Sequence, residues 1–217
     1  MTKPKKRTTA SLKKAHKAYL LRTCRADGTS RNEFQWPKEG LVTCPDWKPT
    51  PKCGNGLHGL LWGAGNGNLL SCEPDALWQV VGIDAWVEVT ENGGGKVKTP
   101  SGEVVFTGER DWAVKLLLKL GADPSTCVYA TLTGGDYSTL TGGDRSTLTG
   151  GDGSTLTGGH RSMLTGGDGS TLLGQWWDAE QGKWRRRLAE VGEDGILPNV
   201  PYRLDENGIW IQVHEEE

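Results

Sequence analysis

The most regular hydrophobic pattern in this chain is a leucine that recurs every eight residues between positions 130 and 177. Six consecutive octads carry it: ATLTGGDY, STLTGGDR, STLTGGDG, STLTGGHR, SMLTGGDG and STLLGQWW. Thr-Leu-Thr is typical of a minimal β-strand with its leucine on one face and its threonines on the other, and Gly-Gly-Asp is typical of a turn. Such a short strand cannot bury its leucine alone, so we predict that stacked copies form a β-solenoid. Its core would consist of Leu132, Leu140, Leu148, Leu156, Leu164 and Leu172.

The eighth position of the octads varies and indicates the length of one coil. In order, it holds Tyr137, Arg145, Gly153, Arg161, Gly169 and Trp177. Taking every second octad separates a tyrosine and two glycines from two arginines and a tryptophan. This alternation favours three coils of sixteen residues with two unlike edges.

The two predicted edges differ in what they would bind. Tyr137 stands beside two glycines, which predicts the close approach of a second copy and a two-fold homodimer. On the other edge, Arg145 and Arg161 would repel an identical surface, so they favour an unidentified protein or an anionic ligand. The candidate binding residues are therefore Tyr137, Arg145, Arg161, Trp177 and, before the repeats, Trp62.

Before the octads, the apolar pattern predicts short strands. Residues 19–24 and 32–36 flank a turn-rich segment and predict a hairpin. Residues 45–75 are rich in proline and glycine and predict a loop. Residues 78–89 are β-branched and aromatic, which predicts one long strand.

A second hairpin and one helix complete this part of the chain. Residues 96–98 and 103–106 are joined by Thr-Pro-Ser-Gly, the composition of a tight turn. Residues 109–120 predict a helix that places Trp112, Leu116 and Leu120 on one face and ends at Gly121.

These elements predict a mostly β protein. An α+β N-terminal domain, mainly antiparallel sheet with one helix, would be followed by the short solenoid and a Trp-rich β cap. The cap is expected because the last coil of a solenoid exposes leucines and backbone edges. The predicted boundaries are a basic disordered arm at 1–17, the α+β domain at 18–129, the solenoid at 130–177 and the cap at 178–217.

Composition adds an asymmetric charge. Residues 1–25 hold nine basic side chains and no acid, so the remainder has 16 basic and 27 acidic residues, a difference of −11. Such an arm is typical of a solvated leader, or of weak, nonspecific nucleic-acid binding through residues 1–17. Five cysteines without a CxxC pair, and no apolar run long enough for a membrane span or signal peptide, favour a reduced cytoplasmic protein that does not contact a membrane.

Several side chains could carry chemistry. Cys44, Cys53, His58 and Cys72 could surround a zinc ion, but their irregular spacing favours separate reduced thiols and no metal. The aspartates at position seven of the octads suggest a calcium site. One carboxylate per octad favours instead a role in stabilising the aspartate's own turn. We expect no cofactor.

His58 is the weak catalytic candidate. A histidine in a glycine-flanked loop is similar to the nucleotide-positioning histidine of ADP-ribosyl-transferring folds, for which Tyr129 and Glu88 would complete the site. The alternative is a loop histidine that only donates to a backbone carbonyl. The sequence leaves open whether the protein is an enzyme and favours a non-enzyme.

The octads also resemble a known family. Ser-Thr-Leu-Thr-Gly-Gly is similar to the repeats of bacterial ice-nucleation proteins, over 48 of 217 residues. That resemblance implies threonine-bearing sixteen-residue coils and an ice-binding face. The whole chain also resembles uncharacterised bacterial and phage proteins in which a Cys-Gly-x-Gly-Leu-His segment, here Cys53 to His58, precedes such repeats.

Three functional hypotheses follow. The first is a non-catalytic binding and assembly protein, encoded by a phage and antagonising a host defence system by binding a protein or nucleotide. The second is a nucleotide-processing, ADP-ribosyl-transfer-like enzyme centred on His58. The third is an ice-binding protein.

Overall fold

The computed structural model describes residues 8–13, 15–30, 33–91 and 94–214. The chain divides into two compact units, Met1–Asp123 and Pro124–Glu217. No helix within the described ranges is long and apolar enough to cross a membrane.

Part of the predicted disordered arm is ordered. Helix α1, Thr9–Lys13, buries Leu12, whose carbonyl accepts a hydrogen bond from the Tyr19 hydroxyl. The His16 ring lies 3.0 Å from Glu103 and 3.3 Å from Asp84. Residues 1–7 and 14 lie outside the described residues, so the nucleic-acid prediction for this arm stays a prediction.

The first unit is built on a seven-stranded antiparallel sheet, which confirms the prediction of a mainly antiparallel domain, although with two helices rather than one. Its strands follow the order β2-β7-β4-β1-β3-β6-β5. They are β1 Ala18–Cys24, β2 Gly40–Thr43, β3 Leu57–Leu61, β4 Leu77–Ile83, β5 Val87–Val89, β6 Lys96–Thr99 and β7 Ser101–Gly108.

The hairpin predicted for residues 19–36 is wrong. Strand β1 is buried on both faces and occupies the middle of the sheet, where it pairs with β3 and β4. Residues 33–36 contribute one isolated bridge, Thr29 to Gln35. Trp36 does not pair as part of a strand. It is buried and packs onto β1, where the Arg22 guanidinium lies 3.4 Å from its ring centroid.

The loop predicted for residues 45–75 contains strand β3. Gly59 permits this strand, because a Cβ at that position would lie 2.9 Å from the Leu20 Cβ on β1. Leu57 and Leu60 are buried beside it. Gly59 therefore marks close strand packing, whereas most of the remaining residues of this segment lie in turns and irregular structure.

The predicted strand at residues 78–89 is divided into two strands, β4 and β5, and the predicted hairpin at residues 96–106 pairs differently. The predicted long strand ends at Ile83, and Asp84 leaves the sheet to accept the Lys17 N–H at 3.0 Å. The predicted 96–106 hairpin does not form, since β6 pairs with β3 and β5 while β7 pairs with β2 and β4. Pro100 joins them, and its carbonyl accepts the Cys44 N–H at 2.8 Å.

The predicted helix is confirmed, and its buried face differs. Helix α2 spans Arg110–Leu120 and ends at Gly121, which has φ 121°. Ala113, Val114, Leu117 and Leu120 are the buried residues, whereas Trp112 is 59% exposed.

In the second unit, the octads pair in parallel at intervals of sixteen residues. β8, β10 and β12 align Leu132 with Leu148 and Leu164, and β9, β11 and β13 do the same for the alternate octads. The strands are β8 Thr131–Thr133, β9 Thr139–Gly142, β10 Thr147–Thr149, β11 Thr155–His160, β12 Met163–Thr165 and β13 Thr171–Asp178.

The leucines form the core of this unit. Leu148, Leu156, Leu164 and Leu172 are fully buried. Leu132 and Leu140, predicted to be equally buried, are only half-buried, because β8 and β9 are the edge strands of their sheets.

A serine ladder runs beside the leucines. The Ser146 N–H donates to the Ser162 Oγ at 3.1 Å, and the Ser154 N–H donates to the Ser170 Oγ at 3.0 Å. Gly150 is required next to this ladder, since a Cβ there would lie 2.7 Å from the Ser154 Cβ.

Antiparallel strands extend both sheets at their other end. β14, Lys183–Glu190, pairs with β13 along its whole length. β15, Tyr202–Leu204, pairs with β12 at Leu164, and β16, Trp210–Gln212, pairs with β15. Tyr202 and Leu204 are buried, so these strands also cover the leucine core.

We expect Leu148→Asp to unfold the second unit, because an unpaired charge in a fully buried site costs several kcal/mol. Hydrogen exchange should show loss of protection across residues 130–177. Leu188→Asp is the matched control, since Leu188 is 56% exposed. Equal protection in the two variants would contradict the role of the leucine stack.

Candidate functional site

The threonines of the octads form two outward-facing arrays. One array contains Thr131, Thr133, Thr147, Thr149, Met163 and Thr165. The other contains Thr139, Thr141, Thr155, Thr157, Thr171 and Leu173. None of these side chains is fully buried, and each aligns with the residue sixteen positions along the chain. The chain thus presents regular rows of hydroxyl and methyl groups.

The aspartates connect octads that start sixteen residues apart. The Asp136 carboxylate accepts the Asp152 N–H at 3.1 Å, and the Asp152 carboxylate accepts the Asp168 N–H at 2.8 Å. The role expected in the aspartate's own turn is therefore corrected to a role in the turn sixteen residues later. Gly167 is needed there, since a Cβ would lie 2.2 Å from the Asp152 Oδ1.

The variable eighth position has a left-handed backbone in the first five octads, which sequence reasoning missed. Tyr137, Arg145 and Arg161 have φ of 56°, 58° and 58°, close to the 63° of Gly153 and Gly169. The alternation of glycine with other residues at this position was the available signal. A non-glycine residue in this region costs roughly 1 kcal/mol or more, so the tyrosine and arginines are kept against a local backbone preference.

The candidate binding residues on the edges already have neighbours. Tyr137 is 83% exposed, yet its ring lies over Gly153, where a Cβ would be 2.7 Å from the Tyr137 Cδ1. The Arg145 guanidinium lies 5.7 Å from the Tyr129 ring centroid, and Arg161 lies 3.6 Å from the Glu206 carboxylate. The predicted gap beside Tyr137 is thus partly filled by Tyr137 itself.

Trp177 belongs to an exposed aromatic cluster on strands β13 and β14. Its ring lies 5.2 Å from that of Trp184, with an interplanar angle of 71°. The His160 ring is also 5.2 Å from Trp184. Trp177 and Trp184 remain 43% and 48% exposed.

Comparison with known proteins points to one group. The chain is 36% identical over 114 residues to the ice nucleation protein InaU of Pantoea ananas, 38% over 117 residues to that of Pseudomonas syringae pv. syringae, and 40% over 101 residues to that of Pseudomonas fluorescens. The matches cover 52%, 54% and 46% of this chain and 11%, 10% and 8% of those proteins. The chain thus spans about a tenth of the length of these relatives. No protein-family model and no solved structure matches it significantly.

The repeats are therefore similar to those of ice nucleation proteins. The hypothesis of a phage-encoded antagonist of host defence is wrong, because the relatives of this chain are ice nucleation proteins.

His58 lies beside a cavity of about 510 Å³ in the first unit. Arg22 on β1, His58 on β3 and Lys96 on β6 line it, with Cys44 and Cys53 from the adjoining loops. Trp62, one of the candidate binding residues, does not line the cavity, and its ring packs edge-on against that of Tyr19 at a centroid distance of 5.6 Å. The positions of Arg22 and Lys96 beside His58 were not predicted, because these residues are distant in the sequence.

Three of the four predicted zinc residues, Cys44, Cys53 and His58, line this cavity, whereas Cys72 does not, and the predicted catalytic residues are not brought together. Glu88 does not line the cavity, and Tyr129 belongs to the second unit. Among the described residues, no group of three or more histidine, cysteine or acidic side chains is placed to hold a metal ion. Cys44 donates to Asp46 at 3.1 Å, while Cys53 accepts from Lys96 at 3.1 Å.

Burial lowers the pKa of His58 to about 4, with further lowering by Lys96 and Lys98. The His58 Nε2 has no hydrogen-bond partner in the part of the chain that the structure describes. The ring is therefore neutral at pH 7, unlike an exposed histidine near its ordinary pKa.

We expect the first unit to lose stability as the pH falls from about 6.5 towards 4. In that window the unfolded histidine binds a proton while folded His58 does not, so protonation favours the unfolded state. His58→Gln should flatten this part of a pH series of urea unfolding curves. His16→Gln is the control, and equal slopes for wild type and His58→Gln would contradict the expectation.

Proposed function

We propose that residues 130–177 form a short β-solenoid of three coils and that its threonine faces bind ice. The similarity to ice nucleation proteins is the main support. The parallel register of sixteen residues between octads agrees with it, as does the outward position of the threonines.

The geometry suits ordered water. Adjacent strands in a sheet lie about 4.8 Å apart, and alternate residues of one strand lie about 7 Å apart. Thr-x-Thr pairs in register therefore repeat in two dimensions, with a methyl and a hydroxyl at each point. Met163 and Leu173 replace one threonine on each face, so Thr147 and Thr149 form an uninterrupted pair in the middle coil.

Coil number favours binding over nucleation. A template must cover a growing ice embryo to nucleate freezing near 0 °C, and three coils present a small area. Adsorption to an existing crystal requires only local fit. We therefore propose that this chain slows ice growth and that the Trp-rich strands β13 to β16 close one end of the solenoid.

The test is ice recrystallisation in the presence of the purified chain. We expect wild type to keep crystals small and Thr147→Lys with Thr149→Lys to lose this effect, because two bulky charges break the ordered row. The matched control is Thr43→Lys with Thr50→Lys, since both residues are exposed in the first unit. Circular dichroism should be unchanged in both double variants. Absence of any effect in folded wild type would overturn the proposal.

We also propose a two-fold dimer through the Tyr137 edge. Tyr137 is a large, exposed aromatic side chain, and Gly169 on the same edge leaves open space. The left-handed backbone at Tyr137 supports a selected role for this side chain. Burying an aromatic residue against glycine allows close approach of two backbones.

Tyr137→Arg should shift the protein towards monomer in light scattering. Arg145→Glu with Arg161→Glu should leave the dimer intact, because those arginines lie on the other edge. A wild type that is monomeric at micromolar concentration would contradict this proposal without affecting the ice-binding test.

A further inference from the structure

The cavity of the first unit concentrates positive charge. Arg22, which is 6% exposed, and Lys96 line it, and Lys98 is fully buried next to Gly56, another lining residue. No carboxylate lies within 4.0 Å of these three cations in the described ranges. Buried cations without a carboxylate beside them are costly, so an arrangement of this kind favours an incoming anion.

Internal contacts fix these cations without neutralising them. The Lys98 Nζ donates to the carbonyls of Lys52 and Gly54, both at 2.9 Å. Arg22 donates to the Gln79 Oε1 at 2.6 Å and to the Thr23 carbonyl at 3.0 Å. Neutral oxygens hold both side chains in place, and the full charge remains.

Two polar atoms at the cavity are without hydrogen bonds. The Arg22 Nε and the His58 Nε2 are buried and have no partner among the described residues. Leaving such atoms unsatisfied is energetically costly. A ligand that reached both would remove that cost.

The cavity wall also has an apolar part, which would favour a ligand with an apolar group as well as a charge. Phe34 and Trp36 pack edge-to-face at 5.7 Å and line the cavity together with Leu69 and Leu70. The one carboxylate on the wall, Asp46, is engaged by Cys44 and Asn55. A planar ring fits the apolar wall, with a charged group at the cationic end.

We infer that this cavity binds a small organic anion, a carboxylate or phosphate carried on a planar ring. Its anionic group accepts from the Arg22 Nε and the Lys96 ammonium, and its ring lies against Phe34 and Trp36. His58, neutral in the free protein, faces the same ligand from β3. This inference is independent of ice binding, since the cavity belongs wholly to the first unit.

The experiment uses the full chain with four probes: 4-hydroxybenzoate, phenyl phosphate, inorganic phosphate and the neutral 4-hydroxybenzamide. Calorimetry measures affinity, and the ring nitrogens of His58 report on the site by NMR. We expect the two ring-bearing anions to bind and to shift His58, with the amide about tenfold weaker or more. Inorganic phosphate should bind more weakly than phenyl phosphate because it does not contact the aromatic wall.

Substitutions locate the binding. Lys96→Gln should weaken both ring-bearing anions by about tenfold, because it removes one cation from the cavity. Lys119→Gln, at an exposed position of helix α2, is the matched control and should change nothing. His58→Gln checks the site without removing a cation and should alter affinity while circular dichroism is unchanged.

Three results would overturn the inference. The first is no heat and no His58 shift with any probe at about 10 mM, a concentration that saturates even a millimolar site. The second is equal affinity for the benzoate and the neutral amide, which would make the cavity a simple apolar site. The third is binding that Lys96→Gln leaves unchanged in a folded variant.

Discussion

The parallel register of sixteen residues between alternate octads is the constraint on which the second unit depends. Because β-strand side chains alternate between faces, a slip of one residue would put threonines in the core and leucines in solvent. The register also brings serine next to serine and places the carboxylates of Asp136, Asp144 and Asp152 at a backbone N–H sixteen residues later. One periodic backbone geometry therefore requires one periodic sequence, which explains why so few residue types occur in the octads.

The same register explains the pairs of glycines. A side chain at Gly150 would collide with Ser154, and one at Gly167 would collide with Asp152. The turns are thus as closely packed as the leucine core. A substitution at one of these glycines should therefore disturb the pairing of octads, as a substitution of a core leucine does.

How much the sequence could predict differs between the two units. In the octads, burial of Leu148 and alignment at sixteen residues follow from local periodicity, because neighbours in space are also neighbours in the repeat. The left-handed φ at Arg145 was not predicted, since no residue-type rule requires it there. The hydrogen bond that the Asp152 carboxylate accepts was also missed, because its donor, the backbone N–H of Asp168, lies sixteen residues away in the sequence.

In the first unit, elements were easier to predict than their partners. Helix α2 has local start and stop signals, and its position follows from them. Strand β3 has no such local signals. The glycine at position 59, which suggests a loop, is needed there because a side chain would collide with Leu20. Its neighbours come from distant segments, so the cavity that joins Arg22, His58 and Lys96 exists only after the sheet has formed.

The two units treat charge in opposite ways. In the second unit, the threonine rows are neutral, and the arginines stand in the turns, where Arg161 pairs with Glu206. A neutral periodic face suits a neutral periodic ligand such as the surface of ice. In the first unit, Arg22 and Lys98 are buried against neutral oxygens with no carboxylate beside them in the described residues. Since burial lowers the pKa of Arg22 only to about 10, the side chain stays charged at neutral pH, and the charge that folding leaves unbalanced favours an anion inside the cavity.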